Sequence, residues 1–246
     1  LITHKSTVTQ NITKQAKVLE TPLQLYLAMQ FIKGKAKNQI NYLKYLDKYH
    51  KILDDKISNM GNILEKKIPK ALNISELMGY EGSISSIYWN SLRLVIEVPF
   101  EKRVTLGAKD IVNSSLNYAY AILYGRIQHY LVHAGLSLNI SFLHSIDGNK
   151  PTLTFDMIEE FRTFIVDRTI VSMLNKNEPI KLDNDGLLTK SSRQLISKNI
   201  KEKLGSYTMW KKESIKIENI IQSQCYKLAQ AIDDNTKLYK PFIGKY

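Results

Sequence analysis

Along this chain apolar residues recur at spacings of three and four far more often than they alternate. The clearest case is Val112, Leu116, Ala119, Tyr120, Leu123, Ile127, Leu131 and Ala134, which keep one side of a helix apolar. Asp110 is placed to cap its start and Gly135 to stop it. Leu23 to Phe31 has the same spacing and continues through Ile40, Leu43, Leu46, Ile52, Leu53 and Ile57. That predicts a long amphipathic helix or a helix pair, with Pro22 at its first turn and Thr21 as its cap. Asn73 with Glu76 three residues later reads as another helix start, continued by Ile84, Ile87 and Tyr88. Thr189 or Ser191 caps a helix through Leu195, Ile196, Ile200 and Leu204, ended by Gly205. Ile217, Ile220, Ile221, Cys225, Leu228 and Ile232 mark a last one.

The remaining segments read as connections. Residues 1–22 are rich in Thr and Gln and read as a strand remnant or linker. Val95 to Val104 reads as a connector with extended pieces, and Asn175 to Gly186 as a polar loop. Almost nothing alternates with a period of two, so the expected class is all-α, with about eight to ten helices.

Phe142 to Asp167 organises the chain. His144 ends one segment, the turn Asp147-Gly-Asn-Lys-Pro151 follows, and helical periodicity then resumes. Asp156, Glu159 and Arg162 fall three apart and share a face, with Met157, Ile158, Phe161, Phe164 and Ile165 on the other side. An imidazole and two carboxylates brought together across that turn are one way to hold a divalent ion. Acids near a helix start are also favoured by the helix dipole alone, and the residues leave both readings open. The same holds for Glu81, between Gly79 and Gly82 near the start of its helix.

Charge sharpens the picture. The 246 residues are 43% hydrophobic, as for an ordinary buried core, and carry a formal net charge of +12. That excess favours a polyanionic partner, nucleic acid or an anionic membrane. Lys33, Lys35 and Lys37 are expected on the outer face of the long helix, and Lys198, Lys201 and Lys203 form a second basic cluster. A solvated surface and a phosphate-facing one both fit them. The single cysteine, Cys225, excludes an internal disulfide and suits a reducing cytoplasm. No run of about 18 apolar residues is present, so no membrane span is expected. The start lacks a signal-peptide core and an initiator methionine, and is expected to lie inside a longer protein or on a processed product.

Several chemistries drop out. There is no G-x-x-x-x-G-K-[ST] and no G-x-G-x-x-G to cradle a nucleotide, and no G-x-S-x-G elbow. Cys225 sits on an apolar helix face. His129 and His133 have a zinc-compatible spacing, but Tyr130 stands where a zinc protease has its glutamate. What remains is Glu81, His144, Asp156 and Glu159 on a basic helical body. Oxygen ligands with one imidazole suit Mg²⁺ or Mn²⁺, and such an ion supports phosphoryl transfer on nucleic acid.

Several runs together resemble one family. They are Asn113 to Tyr124, Ala134-Gly-Leu136, Phe142-Leu-His144 and Asp156-Met-Ile-Glu-Glu-Phe-Arg162. Lys35-Ala-Lys-Asn-Gln39, Met78-Gly-Tyr-Glu-Gly82 with Tyr88, and Tyr239-Lys-Pro-Phe242 extend the match in the same order. The chain is similar to the CRISPR-associated integrase of spacer acquisition, the first-numbered Cas protein, from about residue 25 to its end. The resemblance implies the family's helical catalytic domain over residues 23–246. Residues 1–22 would be a linker or a remnant of an N-terminal β-rich domain that is otherwise missing.

It also implies Glu81, His144 and Glu159 as ligands of Mg²⁺ or Mn²⁺, with Asp156 beside them in the catalytic set. Tyr88 and Arg162 match the family's tyrosine and arginine. They join Lys33, Lys35, Lys37, Lys201 and Lys203 as candidates for DNA contact. The implied activity is insertion of short DNA fragments into a repeat array, in the cytoplasm of a prokaryote, by attack of a 3′-hydroxyl on a phosphodiester. The implied partners are double-stranded DNA with 3′-hydroxyl ends, repeat DNA, a second copy of the chain, and a small companion Cas protein that bridges two dimers. A transposon-borne integrase relative and a non-catalytic DNA-binding scaffold subunit are the alternatives.

Overall fold

The computed structural model describes residues 2–19, 21–234 and 238–246, with side chains from residue 10 onward. Its helices are α1 (Ile2–Val18), α2 (Pro22–His50), α3 (Asp54–Asn62), α4 (Ile74–Leu92) and α5 (Ile111–His133), followed by α6 (Thr152–Phe161), α7 (Arg168–Asn175), α8 (Lys190–Gly205) and α9 (Ile217–Asp233). A π-helical turn, Arg162–Asp167, joins α6 to α7. The expected all-α class is found, with one small addition described below.

The helix starts follow their caps. Asp110 accepts the Asn113 N–H at 2.8 Å, and Asn73 accepts the Glu76 N–H at 2.9 Å. Glu76 in turn accepts from the Leu72 N–H, so that end is tied twice. Thr189 caps α8, accepting from Ser192 at 3.3 Å. Thr21 sits at the N-cap of α2 before Pro22, but its hydroxyl donates back to the Val18 carbonyl. Gly135, with φ +75°, ends α5 in the left-handed region that glycine reaches without a Cβ penalty.

With 29 residues, α2 spans about 44 Å and is the spine of the fold. It packs along α6 and α4, while α5 lies against α6, α8 and α9. The C-terminal segment then seats on α2 and α6. Tyr239 Oη donates to Glu160 Oε1 at 2.8 Å, and the Phe242 N–H donates to Glu160 Oε2 at 2.5 Å. Asn38 clasps the same segment, donating to the Phe242 carbonyl and accepting from the Gly244 N–H. A Cβ on Gly34 would lie 2.8 Å from the Pro241 Cβ and 2.9 Å from the Glu160 Cβ, so α2 and the tail meet only because position 34 has none.

Three expectations change. The stretch expected as strand or linker is helical, α1. Among its described side chains, buried Gln15 anchors it, donating to the Ser137 and Ile140 carbonyls and accepting from the Ser137 N–H, and Val18 joins the core. A two-stranded hairpin, β1 (Tyr207–Trp210) and β2 (Glu213–Lys216), interrupts the helices. Its turn is Lys211-Lys212, with φ of 51° and 71°, where Asn-Gly would have announced it. Finally, α6 has no solvent side. Asp156, Glu159 and Glu160 are as buried as Met157, Ile158 and Phe161, because the polar face of α6 meets α2 and the loop before it. Among the described residues, no helix is long and apolar enough to cross a membrane.

Candidate metal centre

The site forms where α2, α4, α6 and the 141–144 loop converge. Asp156, near the start of α6, is fully buried and accepts the main-chain N–H groups of Phe142 (2.6 Å), Leu143 (3.0 Å) and His144 (3.0 Å). Its Oδ1 also lies 2.8 Å from His144 Nδ1. One carboxylate therefore folds the loop and fixes the ring. With Nδ1 engaged, a neutral His144 presents Nε2 as its free lone pair.

One turn further on, Glu159 meets two cations. Its Oε1 accepts from Arg162 Nη1 at 2.7 Å, and its Oε2 lies 2.7 Å from Lys35 Nζ. Lys35 reaches across from α2 and also pairs with Glu81 Oε1 on α4. Ser85, one turn along α4, donates to that same Glu81 oxygen at 2.8 Å. The lysine spacing places Lys35 on an outer face, and the structure corrects this. Its side chain is 12% exposed and stands between two carboxylates. Arg162 is in turn stacked over the Tyr120 ring, 4.4 Å from its centroid.

The electrostatics follow from this crowding. Burial alone would push the Glu159 carboxyl up, but Arg162 and Lys35 outweigh it and bring it down to about 2. Burial would likewise discharge Lys35, and the charges of Glu159 and Glu81 hold its pKa above the ordinary lysine value. For His144, burial pushes down, while the hydrogen bond and charge of Asp156, with Glu159, push up more strongly. The imidazole thus feels both Asp156 and Glu159.

Among the described residues, no three His, Cys, Asp or Glu side chains are gathered into a ready metal cage. Glu81 and Glu159 are brought together, but through Lys35. The donor set still suits a hard divalent ion. Two carboxylates from different helices already share one cation. Buried Glu159 Oε2 has no aligned hydrogen-bond donor, only the Lys35 ammonium beside it. The neighbouring imidazole has its other nitrogen already held by a carboxylate.

A family model described as "CRISPR associated protein Cas1" matches residues 1–202. The chain belongs to the Cas1 family. It is 30% identical over 230 residues to the CRISPR-associated endonuclease Cas1 1 of Francisella tularensis subsp. novicida, covering 90% of this chain and 69% of that protein. The chain therefore spans about two-thirds of that relative's length. In fold it is similar to a casposase bound to integration product, with a TM-score of 0.84 at 20% identity, covering 96% of this chain and 68% of that one. It is also similar to a chain of a Cas6-RT-Cas1–Cas2 complex, with a TM-score of 0.83 at 21% identity, covering 95% of this chain and 27% of that one.

Other expected residues of this Cas1-family chain lie apart from the carboxylate pair. Tyr88, a candidate for DNA contact, is fully buried, and its hydroxyl donates to Asp167 Oδ2 at 2.7 Å. Its ring belongs to the core because Asp167 is itself buried and needs donors; Tyr120 supplies the other. Lys37 and Lys201 are exposed, and Lys33 is half-buried. Lys37 pairs loosely with Glu65. Lys203 lies over the Phe164 ring, and burial together with Arg168 brings its pKa down to about 8. His129 and His133 meet with their rings tilted, centroids 4.3 Å apart.

Sequence reasoning missed Asp167, Tyr120, Glu160 and Asn38. Asp167 is a lone carboxylate after Phe164-Ile-Val, and that misfit was an available signal; Asn38 and Glu160 have polar neighbours, and Tyr120 reads as part of an apolar stripe.

Proposed function

We propose that this chain carries the catalytic domain of a metal-dependent DNA integrase of CRISPR adaptation, which inserts short DNA fragments into a repeat array. The observation that supports this best is Lys35 held jointly by Glu81 and Glu159, beside an imidazole oriented by Asp156. Carboxylates from α4 and α6 thus focus negative charge on the Lys35 ammonium of α2, in a chain of the Cas1 family with net charge +12.

In this reading Glu81, Glu159 and His144 would hold Mg²⁺ or Mn²⁺, and such an ion would supply charge neutralisation at a phosphodiester and a lowered pKa for an attacking hydroxyl. Asp156 is a positioning residue that keeps the His144 ring turned and its Nδ1 occupied. Arg162 keeps the Glu159 carboxyl ionised and therefore able to bind a cation. The step is a transesterification. The 3′-oxygen of the incoming strand bonds to phosphorus and loses its proton to solvent, the P–O3′ bond within the target strand breaks, and the departing oxygen keeps the electron pair and takes up a proton as the new 3′-hydroxyl. Number and type of bonds are conserved, so no external energy source is needed. Exposed lysines such as Lys37 and Lys201 supply non-specific phosphate contacts. A second copy of the chain, duplex DNA and a small companion protein of the Cas2 kind are the proposed partners.

The test is a joining assay with a labelled 3′-hydroxyl oligonucleotide, a target duplex and Mn²⁺. Parent protein joins the strands, whereas Glu81→Ala and His144→Ala do not, while retaining DNA affinity. Equal joining by parent and both variants would overturn the assignment.

A further inference from the structure

The hairpin has no part in the metal centre, yet with α9 it brings two ammonium groups onto one aromatic ring. Lys211 Nζ and Lys227 Nζ lie 5.1 Å and 3.9 Å from the centroid of the same ring, Trp210, which is backed by Phe242. One ammonium over an indole is a favourable pair; a second brings like-charge repulsion. Burial, then the proximity of Lys211, bring Lys227 down to about 8. Among the described residues, neither these two nor Lys212 forms an ion pair with a carboxylate. The Lys227 ammonium donates instead to the neutral Gln224 amide oxygen, at 3.1 Å.

The backbone adds a second, independent observation. Lys211 and Lys212 both lie at positive φ in the two-residue turn that closes Trp210 against Glu213. A left-handed lysine is strained relative to glycine, which this turn would accept freely. What the fold gains there is the contact of Lys211 with the Trp210 ring, which the turn itself does not require. The outer side of the hairpin also keeps Tyr207 and Met209 exposed beside the lysine tip. Strained, unneutralised cations held on a rigid aromatic base form a preorganised receptor for an anion.

We propose that Lys211 and Lys227 over the Trp210 ring, with Lys212 beside them in the turn, form a binding site for the phosphodiester backbone of duplex DNA, separate from the metal centre. This rests on the reading that the chain acts on DNA. The site sits at the far end of the Trp210–Phe242–Phe161 ring series from α6, so it grips DNA away from the reacting phosphate. It is sequence-independent, since it reads only phosphates.

The test measures the affinity of the whole protein for a fluorescent duplex by anisotropy, across a salt series, for the parent, for Lys211→Gln with Lys227→Gln, and for Lys211→Arg with Lys227→Arg. Thermal unfolding confirms that each variant is folded. The glutamine pair is expected to weaken binding of every duplex alike. It should also flatten the log–log salt slope by about 0.9 for each phosphate the lysines no longer neutralise. The arginine pair keeps the parent slope. If the parent binds duplex DNA and the glutamine pair matches its affinity and slope, the hairpin site is refuted while the integrase reading stands. If the parent binds no duplex DNA, both fail.

Discussion

His144 Nδ1 lies 2.8 Å from Asp156 Oδ1, and that same carboxylate also accepts three main-chain N–H groups from residues 142–144. The loop and the ring are therefore set by one side chain. Asp156→Ala leaves three N–H groups without their acceptor and should cost roughly 3–5 kcal/mol in urea unfolding. Asp156→Asn keeps the shape and should cost less. Even where it folds, it should weaken Mn²⁺ binding by about 10- to 100-fold without abolishing it. Complete loss of binding in the folded Asn variant would mark Asp156 as a ligand instead.

Lys35 neutralises Glu81 and Glu159 in a buried setting. Lys35→Met removes that cation and leaves two facing carboxylates, so the metal-free protein should lose about 3–5 kcal/mol. A divalent ion should restore much of this, because it takes over the same two charges. The melting temperature of the variant should rise more on adding Mn²⁺ than that of the parent. An equal rise in both would separate Lys35 from the metal.

The pH dependence has a definite sign. Burial lowers His144, but Asp156 and Glu159 raise it further, so it titrates above its ordinary 6.5 in the folded protein. Without metal, the stability this gives is complete below pH 6.5 and fades as pH climbs through the folded value. Metal binding runs the other way, since the ligand is the neutral ring. Mn²⁺ affinity should weaken as pH drops below the folded value, approaching about tenfold per unit. Titrations at several pH values check this, and His144→Asn should remove the histidine's share of the slope.

Gly34 tests the link between the tail and the site helix. Gly34→Ala drives a Cβ into Pro241 and Glu160 and should cost about 1–3 kcal/mol or more in thermal unfolding. The same change at Gly79, where an added Cβ meets nothing within 4 Å, should be neutral or slightly stabilising.

Most of the helical frame was legible because the chain marks its own ends: Asp110, Asn73 and Thr189 cap where spacing begins, and Gly135 stops it. The first helix was not, since Gln15 anchors it by hydrogen bonds that no periodicity records. The hairpin was hidden by a lysine pair in a turn that usually calls for glycine. At the site, Glu81, His144 and Glu159 were nameable through the family's motifs. The place of Lys35 was not: it is one of three lysines in a row of alternate positions, and only its carboxylate partners, distant along the chain, set it apart. Tyr88 was singled out by its position, but nothing local showed that buried Asp167 claims its hydroxyl.

The central claim is that Glu81, Glu159 and His144 hold one divalent cation. Anomalous diffraction at the manganese edge, from crystals grown with Mn²⁺, tests it most directly. The account predicts a single strong peak about 2.0–2.4 Å from a carboxylate oxygen of each glutamate and from His144 Nε2, with the Lys35 ammonium displaced. A map with Lys35 still bridging the two glutamates and no peak among the three side chains would contradict it.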